Sequence, residues 1–199
     1  MRASRLQSDW ALGGSANVVA RSDLDRGERG LPMADFHAIV VKYGDRGAPP
    51  RGTIAAHQEM LGERGYVWFG KIGKRVGVHN VRWFSERKSQ GLTTPLVLAR
   101  VANRQLLLHV CDLDDIVFDL PEQERTAVPT YYLDLQAQPS TWFRLTRMDS
   151  ADAALGQHLS VASTGTQLSQ ALLGSTGALY FVRGQDAAVA AILGAGPSE

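Results

Sequence analysis

Gly65-Tyr66-Val67-Trp68-Phe69-Gly70-Lys71-Ile72-Gly73-Lys74-Arg75 sets large aromatic faces beside three cations, and Trp83-Phe84 follows after His79 and Arg82, with Arg87 and Lys88 beyond. In a chain whose formal net charge is only +1, this is a local basic and aromatic island. An aromatic face stacks on a planar base for about 1–3 kcal/mol per base, and Lys or Arg neutralises backbone phosphate. The residue types therefore point to stacking by Trp68, Trp83 and Trp142, with Lys71, Lys74, Arg75 and Arg82 as a phosphate-facing rim. A second reading competes: neighbours in a strand face opposite ways, so at least one of Trp68 and Phe69 belongs to a core. On that reading the cations line a solvated loop and helix face.

Other chemistries find less support. Gly65 to Lys71 has the spacing of a G-x-x-x-x-G-K phosphate loop, but Ile72 stands where Ser or Thr must hold magnesium, and Tyr-Val-Trp-Phe favours extended chain. His57-Gln58-Glu59 imitates the His-x-Glu of zinc deaminases, yet no Pro-Cys-x-x-Cys follows, and an exposed helical turn is the expectation there. The five histidines are scattered without ligand spacing, and His109 reads as a sheet-face residue. The run Asp112, Asp114, Asp115, Asp119, Glu122, Glu124 reads as a solvated strand end and loop rather than a cation site. Cys111 reads as a small buried residue, and no Gly-x-Ser-x-Gly elbow is present. The expectation is no metal and no cofactor.

The 199 residues, 44% hydrophobic, suffice for one good core or two small ones. No apolar run approaches the roughly 20 residues of a membrane helix. The N-terminal arginines precede no apolar stretch, and the single Cys111 excludes an internal disulfide framework, which together suggest a cytoplasmic protein. Residues 1–32 read as a poorly ordered leader, with Met33 a conceivable start, 33–185 as one α+β domain, and 186–199 as a C-terminal helix and tail. Within the domain the pattern predicts a strand over 36–43, a loop over 47–52 and a helix from a Thr53 cap to Arg64. A strand over 66–71 and a helix over 81–90 capped by Asn80 follow. A hairpin comes next, 95–101 with 104–110, turning at Ala102-Asn103 and forming the centre of the sheet. A strand over 141–147, a helix over 163–173, a strand over 178–182 and a helix over 187–193 complete the order. Regular strand-helix alternation is too short for a doubly wound sheet.

The short strand, helix, Tyr-Val-Trp-Phe-Gly-Lys strand, second helix and Pro95 to Ile116 hairpin resemble the front half of a PUA-like domain of the EVE, YTH and ASCH kind. Val128-Pro129-Thr130-Tyr131-Tyr132 and Thr141-Trp142-Phe143-Arg144-Leu145 are similar to its closing strands. The resemblance implies a mixed sheet or β-pseudobarrel with flanking helices, whose aromatic pocket receives one base, often modified, flipped from DNA or exposed in RNA. It makes Trp68, Trp83, Trp142 and Tyr131 wall candidates in a non-catalytic module whose partner is a nucleic acid or nucleotide, with no membrane involved. ASCH-type relatives imply an alternative, a hydrolase of modified nucleosides, with Lys71 or Lys74 as activator and Glu59 or Glu63 assisting. A protein-interaction or regulatory domain is the third reading.

Overall fold

The computed structural model describes residues 37–45, 50–174 and 176–184. The leader expected over 1–32, the helix over 187–193 with its tail, and positions 47–49 of the expected loop lie outside the described residues. The elements in chain order are β1 (Ala38–Lys42), α1 (Thr53–Arg64), β2 (Val67–Lys71), α2 (Val78–Ser89), β3 (Pro95–Ala102) and β4 (Gln105–Val117). After two 3-10 segments, Glu122–Ala127 and Thr130–Asp134, come β5 (Thr141–Ala151), α3 (Leu155–His158), β6 (Leu159–Val161), α4 (Leu168–Gly174) and β7 (Leu179–Gly184).

The strands form one seven-stranded mixed sheet in the order β2-β5-β4-β3-β1-β7-β6. β1 and β3 run parallel, and the other neighbours run antiparallel. This is the α+β architecture expected, and the β3–β4 hairpin lies near its centre. The hairpin turns at Asn103 and Arg104, one residue later than expected, with φ of 51° and 61°. Two consecutive positive φ values define the tight turn whose twist matches antiparallel strands, and Asn tolerates that conformation better than Ala102 would.

The long β4 strand bends because its register slips around Leu113 to Asp115. Cys111, Leu113 and Ile116 all join the same core cluster, so a step of two is followed by a step of three. A regular strand would turn Ile116 outward; the bulge keeps it inside and curls the sheet. The concave face so formed buries Ile39, Val41, Phe69, Leu96, Leu98, Phe143 and Leu145, closed by Trp83 and Phe84 of α2. Ile54, Met60 and Leu61 of α1 pack against the same cluster. The opposite face of β1, β3 and β7 buries Val40, Val97 and Val182 under Leu168 and Leu172 of α4.

Local expectations shift where tertiary contacts decide. Thr53 is the first helical residue of α1 rather than its cap; Gly52 holds that place at φ 87°, and the Thr53 N–H is met by Asp45 Oδ1 at 3.1 Å. α2 starts at Val78 after Gly77, so Asn80 is buried within the helix instead of capping it. Val128 to Tyr132 is not a closing strand: Thr130–Asp134 is a 3-10 turn that follows Pro129. The helix expected from Ser163 begins at Leu168, because Gly165 at φ 71° and the Val161 N–H to Thr166 carbonyl bond at 2.8 Å make a tight turn first.

Candidate nucleic-acid interface

The three tryptophans do not meet in an open cleft. Trp68 is 2%, Trp83 6% and Trp142 8% exposed. Alternation along β2 and β5 turns Trp68 and Trp142 to the convex face, opposite Phe69 and Phe143, where Ala127, Val128 and Tyr132 cover them. Trp68 Nε1 donates to Glu124 Oε2 at 2.9 Å, so its polar edge is satisfied too. Trp83 lies in the concave core, under the Arg87 guanidinium at 5.1 Å. The sheet itself separates Trp83 from the other two, and the expected indole-walled pocket is corrected accordingly.

An aromatic cavity forms elsewhere, between the C-terminal ends of β1 and β2, which are not hydrogen-bonded to each other. It measures about 150 Å³, and its ring-bearing walls are Tyr43, Phe69, Tyr131 and Tyr132. Thr53 at the start of α1 and Lys71 at the end of β2 complete it. Tyr43 meets Phe69 edge to face at 6.3 Å, and Tyr131 stacks on Tyr132 at 4.4 Å. Burial, with Asp45 nearby, pushes the Tyr43 phenol up to about 12; burial also pushes Tyr131 up to about 12. Both therefore remain neutral hydrogen-bonding phenols across the physiological range.

Buried groups behind the cavity hold its wall. The Gly70 N–H donates to the Tyr132 hydroxyl at 2.9 Å, and that oxygen lies 3.4 Å from His57 Nε2. His57 Nδ1 lies 2.7 Å from the Thr53 carbonyl. Burial pulls the imidazole down to about 4, so neutral His57 donates from Nδ1 to Thr53 and presents Nε2 to Tyr132. His57 is fully buried, which corrects the exposed turn expected there: α1 crosses the ends of β2 and the Thr130–Asp134 turn and encloses this side.

Of the expected site residues, Tyr131 and Lys71 line the cavity, and Lys74, Arg75 and Arg82 do not. Lys71 is no rim charge: it is 5% exposed, and Nζ donates to the carbonyls of Ile72 and Lys74, tying down the loop that follows. Burial lowers its pKa. Lys74, Arg75 and Arg82 are exposed, with the Arg75 guanidinium 4.4 Å over the Phe118 ring. Glu59 and Glu63 are exposed on α1, and no carboxylate lines the cavity among the described residues, so the expected lysine–carboxylate pair is not assembled there.

Two members of the acidic run are held in ion pairs to other elements: Asp112 with Arg147 at 2.9 Å, and Asp114 with Arg144 at 3.0 Å and Lys88 at 2.9 Å. No cluster of His, Cys, Asp and Glu suited to a metal occurs among the described residues. No described helix is long and apolar enough to cross a membrane.

Tyr43, Thr53, Phe69 and Tyr132 were not singled out as site residues from the sequence. They share no local signal: Tyr43 follows the end of β1 and Thr53 starts α1, whereas Phe69 and Tyr132 lie in the middle of their elements, and the topology alone gathers them. A family model described as Pua-like matches residues 39–170, more than half of the chain and all of the cavity walls except Ala178. Comparison with curated proteins and with solved structures gives no match.

Proposed function

The chain belongs to the Pua-like family, whose domains generally bind RNA or other nucleic acids, and on that premise we propose that it is a non-catalytic reader capturing one base in the Tyr43, Phe69 and Tyr131 cavity. The observation that carries this reading is a partly open aromatic cavity set between two strand ends that do not pair with each other, with rings from separate parts of the chain. Neutral phenols serve such a ligand twice, by stacking and by hydrogen bonds to the base edge. Extruding a base costs a few kcal/mol, which one stack and two or three hydrogen bonds offset. A modified base fits the same proposal, because the wall offers both apolar ring surface and phenol groups.

Lys74 and Arg75, in the exposed loop that continues from the cavity residues Lys71 and Ile72, supply the phosphate contacts in this reading, with Arg82 on α2 further along. The test is a binding titration with short single-stranded RNA and DNA of randomised sequence. Tyr131→Ala is expected to weaken binding by roughly ten- to a hundredfold, the size of one lost stack. Lys74→Ala with Arg75→Ala is expected to flatten the salt dependence while leaving base preference intact. Wild-type affinity in Tyr131→Ala for every polynucleotide tried would overturn the proposal.

A further inference from the structure

The concave face that forms the core turns polar at one end. Alternation carries Val41 to Tyr43, Leu98 to Arg100 and Cys111 to His109 along one side of β1, β3 and β4, and the register sets Leu98 opposite His109 and Arg100 opposite Leu107. The Tyr43 N–H to Ala99 carbonyl bond at 2.9 Å extends the same pairing past the end of β1. Tyr43, Arg100 and His109 line a second cavity of about 340 Å³, together with Asp45. Tyr43 and Thr53 belong to both cavities, so the two adjoin.

The polar groups here are of mixed kind. Arg100 is paired with Asp45, whose other carboxylate oxygen accepts the Thr53 N–H, so acceptor and guanidinium are fixed against the start of α1. His109 Nδ1 is buried with no hydrogen-bond partner among the described residues. That nitrogen is sealed from solvent, whereas the ring as a whole is part-exposed and lines the cavity, its nitrogens donating or accepting according to tautomer. Arg51 lines the cavity as well and Arg100 is already paired with Asp45, so a phosphate would gain Arg51 and meet repulsion from the Asp45 carboxylate. A hydroxyl both donates and accepts, and so matches a carboxylate, a guanidinium fork and an imidazole nitrogen together.

We propose that the second cavity is a ribose subsite that reads the 2′-hydroxyl, so that the base entering the neighbouring aromatic cavity belongs to a ribonucleotide. This rests on the base-capture reading and deepens it, since the 2′-hydroxyl is the group that separates RNA from DNA. The ribonucleotide comes either from an RNA strand or from a free monomer; both present the same sugar.

The experiment compares single-stranded RNA and DNA of the same randomised sequence on the full chain, with wild type and His109→Ala, and with Tyr131→Ala as reference. Wild type is expected to bind RNA roughly tenfold more tightly than DNA, about one hydrogen bond's worth. His109→Ala is expected to bring RNA affinity down to the DNA level while DNA affinity stays put, which also shows that the variant is folded. Competition by mixed ribonucleoside monophosphates, with deoxy counterparts failing, identifies the monomer as a sufficient ligand; competition by neither assigns the strand. Equal affinity of wild type for RNA and DNA, both weakened in Tyr131→Ala, would overturn the ribose subsite and leave base capture standing. Failure to bind either polymer or any monomer would overturn base capture and the subsite with it.

Discussion

The phenol oxygen of Tyr132 lies 2.9 Å from the backbone nitrogen of Gly70, and a Cβ built on Gly70 would lie 2.8 Å from the Tyr132 ring. The side chain thus occupies the place of a neighbouring strand along the open edge of β2, hydrogen bond included, and only glycine lets the ring come that close. The same contact sets the back wall of the aromatic cavity. Gly70→Ala forces Tyr132 and Pro139 apart, and an overpacked site of this kind loses about 1–3 kcal/mol. Tyr132→Phe keeps the ring and leaves the Gly70 N–H buried and unpaired, also about 1–3 kcal/mol. Denaturant midpoints check both; an unchanged midpoint for Gly70→Ala would show that the wall yields freely.

His57 makes stability depend on pH. Its folded-state pKa of about 4 lies below the ordinary 6.5, chiefly through burial. The unfolded chain therefore takes up a proton near pH 6.5 that the folded chain refuses until about pH 4, and stability falls as pH drops through that window. The full effect is about 3 kcal/mol. Melting temperatures of wild type and His57→Gln, measured across the window, are expected to converge toward acid. A constant difference between them at every pH would contradict the assignment of a neutral, buried imidazole.

Cys111 is fully buried on the concave face, where burial first and the Asp112 and Asp149 carboxylates next push its thiol far above the ordinary range. The reactive species is the thiolate, so an aromatic disulfide reagent is expected to label the native chain only at the rate at which it opens. Labelling should become prompt near the urea midpoint. Immediate reaction of the folded protein would place Cys111 at the surface.

Buried as they are, Trp68, Trp83 and Trp142 are expected to act on stability rather than on binding. Trp142→Phe is expected to hold nucleic-acid affinity, and Trp83→Ala to cost about 3–5 kcal/mol of folding stability. Calorimetric unfolding paired with a binding titration separates the two effects. A folded Trp142→Phe protein with lost affinity would return the convex-face ring to the binding site.

Strands β1, β2, β3 and the start of β4 were legible because β-branched and apolar runs broken by Gly44, Gly65 and Asn103 carry their own signal. The α+β class followed from the order of those pieces. The bulge at Leu113 to Asp115 was not legible, since a step of three inside an acidic strand resembles ordinary irregularity until Ile116 is seen to share a face with Cys111. Composition pointed to indoles that the fold buries: Trp68 and Phe69 must face opposite ways, and nothing local says which side of the sheet is covered by the Glu122–Ala127 and Thr130–Asp134 turns. Tyr131 was named through the family resemblance, in a segment expected as a closing strand that is instead a 3-10 turn, and its neighbours Tyr43 and Thr53 come from far along the chain and are gathered only by the topology. Lys71 carried the sequence signature of a phosphate contact, and the concave parity of β2 buried it instead.

The most direct measurement is the dissociation constant of the full chain for randomised single-stranded RNA, wild type against Tyr131→Ala, with matched melting curves. A fall of roughly ten- to a hundredfold in affinity at an intact melting transition is the predicted result. Unchanged affinity in the Tyr131→Ala protein would contradict a base-binding cavity between the ends of β1 and β2.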